Sequence, residues 1–369
     1  MAFSVLNRRP DSGLGNVRSS PGDPSRNVDW VLLFAQSALV VCGCLTIYSA
    51  SRTKAVGQNL PYGYQFVTRQ VIFVIIAIVA MLFIMSLDYS WLRERAKFFY
   101  GVTIMLLVMI FLLAKVTVLL ALAAFLSEDT ADSVSYERFV GGLWLGGIPT
   151  ALIILQPDLG TSSVLVALMM GLLLVAGARA KYILMITVLA ISTVGAALLS
   201  GVVNQYQTKR FEAWLNPNSQ DEGLQRYIFQ GKNALRATAT GGLTGKGWLN
   251  GPITNTKGDI PVQWADFPFS AIGEQFGLLG CAVIICLFAL ALFRIWRIAH
   301  LSRDLLGTYI CAGVFTMLLW QVFQNVAMTL GLMPITGLPM PFISYGGSGT
   351  ITYFMMFGLV QSVHMRRMR

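Results

Sequence analysis

The stretch PFSAIGEQFGLLGCAVIICLFALALF, at residues 268–293, is apolar except for a few polar side chains and carries one charge, at Glu274. A bilayer core about 30 Å thick is crossed by about 20 apolar residues in an α-helix. The stretch is long enough for such a crossing. It therefore predicts a transmembrane helix, and stretches of the same kind recur along the chain.

Nine apolar runs follow this pattern, and together they exclude a water-soluble globular protein. Hydrophobic residues make up 55% of the chain and charged residues 12%, against roughly 25% charged residues in an ordinary soluble domain. The sequence predicts an all-α polytopic membrane protein. The runs lie at about 29–49, 68–87, 98–126, 140–157, 160–178, 182–203, 268–293, 305–330 and 342–363.

Short clusters of basic residues flank these runs and predict the orientation in the membrane. The net charge of +10 could suggest nucleic acid as a partner. The clusters follow instead the pattern of positive-inside topology signals, so nucleic acid is discounted. Clusters at 8–26 and 366–369 place both termini in the cytosol, and this requires an even number of crossings.

Nine runs give an odd number of crossings and cannot satisfy that requirement. The flanking charges indicate that the run 98–126 is the one that does not cross once. Both of its ends face the cytosol, and as one helix it would be about 43 Å long at about 1.5 Å per residue, too long for one comfortable crossing. We expect a compressed pair of helices or a re-entrant hairpin, broken near Lys115. The total is then about ten transmembrane helices, nine of them clear; one long tilted helix is the alternative.

Two hydrophilic segments complete the predicted domain organisation. Residues 1–28 predict a disordered cytosolic tail ahead of a membrane domain at 29–369. Residues 204–267 form a large extracytoplasmic loop, whose aromatic residues predict that it is ordered on the outer membrane surface. The five cysteines fall inside apolar runs, and the chain has two histidines. We therefore expect neither a disulfide framework nor a zinc site.

Charged residues at membrane depth are candidate functional groups, because each costs about 2.5–3.5 kcal/mol to insert. Lys115 lies within a run and needs an internal partner or a water-filled cavity; exposure at a helix break is the alternative. Asp158 stands between Pro157 and a glycine, at a turn near the outer interface. It either carries function or only caps the next helix.

Asp266 is the sharper candidate, as a general base. It is a single carboxylate in QWADFPF (263–269), where the outer loop re-enters the membrane. Partial desolvation there raises the proton affinity of a carboxylate toward that of a base near neutral pH. A solvated helix cap is the alternative. Glu274, about two turns further on, is either a second functional carboxylate or a buried polar group.

The outer loop also supplies cations, among them Arg210 and Lys246. Fixed positive charges beside open backbone amides suit a phosphate or pyrophosphate, and anionic lipid head groups would be served equally well. The stretch GGLTGKG (241–247) superficially resembles a nucleotide-binding P-loop. A P-loop requires Gly at the position of Thr240 and Ser or Thr at the position of Gly247, so ATP binding is rejected.

The segment GLMPITGLPMPFISYGGSG (331–349) places turn-forming residues between two apolar runs. Irregular backbone at membrane depth is tolerated only where it is buried in protein or lines a cavity. The segment therefore predicts part of a pocket wall, with Ser344 and Tyr345 as candidate substrate-binding residues.

These motifs resemble the SEDS family (shape, elongation, division and sporulation) from about residue 29 to the end of the chain. The stretch 336–342 is more similar to elongation members than to division members. The resemblance implies that Asp266 is the catalytic aspartate and that Asp158 is also important. The motifs that carry it are IYSAS (47–51), Arg69-Gln70, QPDLG (156–160), residues 210–217, GL and GKG within 242–247, residues 266–274 and residues 331–349.

One departure from the family pattern lies inside the run 98–126. Family members carry Gln-Pro-Ser-Glu just before an Ala-Lys pair. Here Ala114-Lys115 remains, but Leu112 stands where the Glu would be. Lys115 thus lacks its expected partner, so either Asp158 or another acid compensates or the protein is impaired.

The resemblance implies a glycosyltransferase that polymerises lipid II into peptidoglycan during cell elongation, on the outer face of the bacterial cytoplasmic membrane. In this inverting transfer Asp266 deprotonates the acceptor hydroxyl and undecaprenyl pyrophosphate leaves. Arg210, Lys246 and a substrate-held Mg²⁺ or Mn²⁺ neutralise the leaving group. A class B penicillin-binding protein, the elongation machinery and membrane lipids are the implied partners. A lipid II flippase and an inactive scaffold for a penicillin-binding protein are the alternatives.

Overall fold

The computed structural model describes residues 27–56, 63–107, 114–128, 135–155, 158–199, 205–256 and 259–367. Within these ranges the chain forms helices and no strand. In chain order they are α1 (Trp30–Val56), α2 (Gly63–Ser86), α3 (Tyr89–Leu107), α4 (Ala114–Ser127), α5 (Tyr136–Leu155), α6 (Leu159–Val175), α7 (Ala180–Leu199), α8 (Gln205–Leu215), α9 (Glu222–Thr240), α10 (Pro252–Asn255), α11 (Gln263–Asp266), α12 (Pro268–His300), α13 (Leu305–Thr329) and α14 (Gly347–Met365).

The apolar runs form α1 to α7 and α12 to α14, which confirms the all-α membrane fold. Within the described residues, α1, α2, α12 and α13 are each long and apolar enough to cross a bilayer. On α2 the side chains of Ile75, Val79 and Phe83 are largely exposed. A surface of this kind is a liability in water and is the expected lipid-facing surface in hydrocarbon. Of the predicted tail at residues 1–28, the first 26 residues lie outside the part of the chain that the structure describes.

The run 98–126 forms two helices, as its flanking charges predict. α3 has 19 residues and α4 has 14, and the two pack against each other. The alternative of one long tilted helix is therefore wrong. The connection at 108–113, which includes Leu112, lies outside the described residues.

The bundle core forms around α13, which packs against α4, α6, α12 and α14. Small residues allow the closest approach between helices, as is usual in membrane proteins. A Cβ atom at Gly171 on α6 would lie 2.3 Å from Thr316 Oγ1 on α13, and one at Gly313 would lie 2.0 Å from Leu119 on α4. A larger side chain at either glycine would force the helices apart.

Residues 331–346 are irregular and are folded into the bundle. The last apolar run was predicted to begin at 342, but α14 begins only at Gly347. Phe342 has a φ of 63°, and its ring packs edge-on against Phe357 with centroids 4.8 Å apart. A Cβ atom at Gly43 on α1 would lie 2.4 Å from the carbonyl oxygen of Phe342. Contact with neighbouring helices therefore interrupts the apolar run.

The described part of the predicted outer loop contains four helices, α8 to α11. The longest of them, α9, is amphipathic and packs against α12 and α13. Its residues Ala234 and Ala237 share a buried cluster with Phe267 and Met328. The loop is ordered by this packing, as its aromatic content predicts.

Candidate active site

Asp266 ends the short helix α11, immediately before α12. Val262 precedes α11 with a left-handed backbone, φ 52°, and Phe267 follows it with a fully buried side chain. Pro268 then starts α12, where its missing N–H is tolerated. Because Phe267 is anchored in the core, the neighbouring Asp266 is held at the surface of the bundle with its side chain partly exposed.

The backbone of Asp266 is tied to the irregular segment 331–346. Asn325, fully buried on α13, donates from Nδ2 to the carbonyl oxygens of Asp266 at 3.0 Å and Leu338 at 2.8 Å. The amide of Tyr345 donates to the carbonyl of Trp264 at 2.9 Å. The segment predicted to form a pocket wall thus lies directly beside Asp266.

Arg210 on α8 faces Asp266 across Gly337. A Cβ atom at Gly337 would lie 3.4 Å from Arg210 Nη1 and 3.9 Å from Asp266 Oδ1. Gly337 has a φ of 73°, which an L-residue rarely adopts. The missing side chain leaves an open space that the guanidinium and the carboxylate both border.

The electrostatic balance at Asp266 has two opposing causes. Burial raises the pKa of Asp266 above its ordinary value, and the charge of Arg210 partly opposes this rise. The guanidinium of Arg210 lies 4.2 Å from the centroid of the Tyr206 ring, and it donates to the Tyr206 hydroxyl. Its buried Nε has no hydrogen-bond partner within the described residues.

Asp158 and Lys115 form a second charged pair near this segment. Asp158 caps α6 by accepting from the Thr161 amide at 2.9 Å, and its charge also acts on Lys115 at the start of α4. A Cβ atom at Gly160 would lie 2.9 Å from the Leu338 side chain. Asp158 thus caps α6 while its charge acts on Lys115 from beyond ion-pair distance. Which acid compensates for the missing family Glu stays a prediction. Gln156 and Pro157 lie outside the described residues.

Glu274 serves the backbone of the outer loop and is not brought to Asp266. It is fully buried on α12. Its carboxylate accepts from the amides of Ile253 at 2.8 Å and Thr254 at 2.7 Å, and from the Thr254 hydroxyl at 2.6 Å. Glu274 is thus a buried polar group held by the outer loop, and its assignment as a substrate-binding residue stays a prediction.

The glycine-rich stretch 241–247 replaces one turn of α12. Gly277 breaks α12 with φ 63° and ψ −158°, so the helix cannot pair its own backbone there. Four backbone hydrogen bonds to the loop restore the pairing: Lys246 N to Glu274 O (3.0 Å), Gly247 N to Gln275 O (3.0 Å), Leu278 N to Gly242 O (2.8 Å) and Leu279 N to Leu243 O (3.1 Å). The glycines permit this close backbone contact, and the loop amides are used within the protein. The side chain of Lys246 is exposed at the break.

Ser344 and Tyr345 shape the irregular segment. The Ser344 hydroxyl accepts from the Met340 amide at 2.7 Å. The Tyr345 ring packs edge-on against Phe66, with centroids 5.3 Å apart. These contacts fix the segment beside Asp266, and neither side chain is shown to reach the carboxylate.

An apolar groove of about 530 Å³ runs between α9, α12 and α13. Its lining includes Phe269, in the first turn of α12, together with Gly277, Cys281 and Leu330. Its walls are almost entirely apolar, so it suits a hydrocarbon chain. Within the described residues, no group of three His, Cys, Asp or Glu side chains could hold a metal ion.

Sequence reasoning did not single out Asn325 or Gly337. Asn325 is a polar residue inside the apolar run 305–330, and this pattern could have flagged it as it flagged Lys115. For Gly337 the available signal is a glycine within a Pro-rich turn segment, which many connecting loops share.

Fold and site together define a polytopic helical membrane protein that has a charged site at Asp266 and an apolar groove between α9, α12 and α13. The family model of FtsW, RodA and SpoVE, described as cell cycle protein, matches residues 29–117 and 113–369. The chain belongs to this family, the SEDS family that its motifs resemble. The two matched pieces overlap at residues 113–117, around Lys115.

Individual relatives agree with this membership. Stage V sporulation protein E of Bacillus subtilis is 30% identical over 361 residues, 91% of this chain and 96% of that protein. Peptidoglycan glycosyltransferase MrdB of Escherichia coli is 33% identical over 255 residues, 69% of this chain and 67% of that protein.

Solved structures show the same fold at 24% sequence identity. The crystal structure of Thermus thermophilus RodA has a TM-score of 0.65 and covers 92% of this chain and 97% of that one. A chain from a peptidoglycan synthase complex has a TM-score of 0.73, with 92% and 98% covered.

Proposed function

We propose that this protein is a peptidoglycan glycosyltransferase that polymerises lipid II into glycan strands during cell elongation. Relatives named peptidoglycan glycosyltransferase, among them MrdB of Escherichia coli and several FtsW proteins, support this activity. The observation that carries it is the partly buried Asp266 carboxylate, which faces Arg210 across the open space at Gly337.

Asp266 is the general base in this proposal. It takes the proton from the acceptor sugar hydroxyl as that oxygen attacks the anomeric carbon of the donor, with inversion, and the donor's bond to its lipid pyrophosphate breaks. A raised pKa makes the carboxylate a stronger base than a solvated aspartate. A base of this kind contributes about 10²–10⁴ in rate. The remaining acceleration comes from positioning of the two substrates and from charge neutralisation.

Arg210 and Lys246 neutralise the departing pyrophosphate, and the groove between α9, α12 and α13 holds the polyprenyl chain. Lys246 stands beside the break in α12 at Gly277, and Gly277 lines that groove. With one carboxylate at the site and an arginine beside it, the residues fit a Mg²⁺ or Mn²⁺ ion held mainly by substrate phosphates. Such an ion would add positive charge at the leaving group, and Asp266 is the carboxylate of this site that would contact it.

Lys115 and Asp158 support the substrate-facing segment from the other side. Asp158 acts on Lys115 electrostatically, while Gly160 packs against Leu338. This arrangement replaces the acid that the family carries before its Ala-Lys pair. We therefore propose that the shortened region at 98–126 is compatible with activity.

The proposed setting is the bacterial cytoplasmic membrane, with both termini and the basic clusters in the cytosol and the loop at 204–267 outside. The proposed partners are a class B penicillin-binding protein and the elongation machinery. A solved structure with this fold comes from a peptidoglycan synthase complex that coordinates polymerization and crosslinking, which supports a partner of this kind. Ahead of the membrane domain at 29–369, residues 1–28 are proposed as a disordered tail.

Purified protein with lipid II and Mg²⁺ in detergent tests the activity, with the partner added in a second reaction. We expect glycan strands from the wild type and none from Asp266→Ala. Glu212→Gln, which changes an exposed carboxylate on α8, is the matched control and should retain synthesis. A flippase would make no strands in either reaction. With a scaffold, Asp266→Ala would leave the synthesis by the partner unchanged.

A further inference from the structure

A second pocket, of about 320 Å³, lies at the opposite end of the bundle from the outer loop. It is formed where α1 begins and where α12 and α14 end, and its lining includes Asp29, Arg294, Arg297, His364 and Arg367. This end of the bundle carries the basic clusters that predict the cytosolic side. The catalytic proposal uses none of these residues.

Asp29 shapes this pocket through contacts with α12 and α14. Its backbone amide and carbonyl both pair with the Gln361 side chain, at 3.0 and 2.9 Å. Its carboxylate, which is fully buried, accepts from Arg294 Nη2 at 2.5 Å and from Arg294 Nε at 3.0 Å. The start of α1 is thus clamped against α12 and α14, so the pocket is preformed.

The charges that line this pocket do not cancel. Asp29 is the one carboxylate among its lining residues, and Arg294 is paired with it. The guanidinium groups of Arg297, which is exposed, and Arg367, which contacts the His364 ring at 3.1 Å, have no carboxylate to balance them there. Two positive charges therefore face the pocket.

Its rim is apolar and accessible. Trp30 is 72% exposed and Leu301 is 44% exposed, and both line the pocket. A tryptophan at a helix end is typical of the membrane interface, because its ring spans the boundary between head groups and hydrocarbon. A free anion would use only the arginines, whereas an amphipathic anion would use the arginines and the rim together.

We propose that this pocket binds the phosphate head group of an anionic phospholipid from the inner leaflet, with its acyl chains against Trp30 and Leu301. Basic pockets between transmembrane helices on the cytoplasmic side recognise anionic lipid head groups by this combination of charges. The bound lipid bridges α1, α12 and α14 at the end of the bundle where Asp29 already joins them.

Native mass spectrometry of the purified full-length protein in detergent tests the site, with titrations of dioleoylphosphatidylglycerol and dioleoylphosphatidylcholine. We expect the wild type to bind the anionic lipid at least tenfold more tightly. The double variant Arg297→Gln/Arg367→Gln should bind it about thirtyfold more weakly and lose the preference. Arg93→Gln/Arg179→Gln removes two exposed charges elsewhere at the same end and should retain the preference.

Two results would overturn the proposal. One is an unchanged lipid preference in the Arg297→Gln/Arg367→Gln protein. The other is displacement of the lipid by inorganic phosphate at equal concentration, which would make the pocket a site for free phosphate. If the double variant is too unstable to be purified in its folded form, Trp30→Ala tests the site instead. It removes only the apolar rim and should weaken phosphatidylglycerol binding severalfold, and unchanged binding would refute the site.

Discussion

Asp266 and Glu274 are two carboxylates on one continuous stretch of chain, and the structure gives them opposite surroundings. Glu274 is fully buried and accepts three hydrogen bonds from α10. Asp266 is partly exposed, no hydrogen-bond donor reaches its carboxylate within the described residues, and Arg210 stands across an open space.

The difference shows how to separate a structural carboxylate from a reactive one. A buried carboxylate that already accepts three hydrogen bonds from the protein is held in place by them and has most of its lone-pair sites in use. A partly desolvated carboxylate without donors has a raised proton affinity and an open face. Burial alone does not distinguish the two kinds of carboxylate, because both are at least partly buried. Their hydrogen-bond partners distinguish them.

Asp266→Asn gives the largest expected effect. We expect the rate of strand synthesis to fall by about 10²–10⁴, because the amide cannot take the proton. The thermal unfolding midpoint should not fall, since burial disfavours the charge that the substitution removes. Rate assays and thermal unfolding on the same preparation measure both. Activity within twofold of the wild type would end the base assignment.

Glu274→Gln should show the reverse pattern. The neutral amide loses charge-assisted hydrogen bonds to α10 and presents an N–H to donors, so we expect the free energy of unfolding to fall by about 2–3 kcal/mol. The protein that remains folded should keep most of its catalytic rate. A rate loss as large as that of Asp266→Asn, at unchanged stability, would show that the two carboxylates act together.

Gly337→Ala tests the open space beside Asp266. The added methyl group would lie 3.4 Å from Arg210 Nη1, and we expect about a tenfold lower rate from displaced substrate, which is about 1.4 kcal/mol. Gly331→Ala is the matched control, because Gly331 has a φ of 74° but nothing within 4 Å of its Cβ position. Both variants carry the same backbone strain, so only crowding distinguishes their rates. Equal rates would remove Gly337 from the site.

Arg210→Gln gives the smallest effect, a displaced pH profile; weaker neutralisation of the pyrophosphate lowers the height of this profile and leaves the position of its acid limb to Asp266. Arg210 opposes the rise in the pKa of Asp266 that burial causes, so its removal raises that pKa further. Because a base works only when deprotonated, the acid limb of the rate profile should move to higher pH. Lys209→Gln removes a charge at the next position, beside Gly223 and Asp221, and should leave the limb in place. A shift toward lower pH would contradict the pairing of Arg210 with Asp266.

Several features followed from local sequence alone. Basic clusters and run length predicted that 98–126 forms two helices, and α3 and α4 confirm it. The glycines at 241–247 were recognised as unlike a P-loop, but their actual use was not foreseen. The amides of Lys246 and Gly247 and the carbonyls of Gly242 and Leu243 pair with α12 at the break made by Gly277. This is a contact between distant parts of the chain that no local pattern contains.

The sequence by itself determined that this protein is a helical membrane protein, because apolar run length and flanking charge act locally and segment by segment. It also predicts that Asp266 lies at the membrane interface, since the aromatic residues on which this prediction rests are its immediate neighbours in the chain. Tertiary structure alone decided that Arg210 faces Asp266, that the charge of Asp158 acts on Lys115 and that Glu274 accepts its hydrogen bonds from α10. Each of these depends on which residues from distant helices meet in space, and that is fixed only when the whole bundle packs.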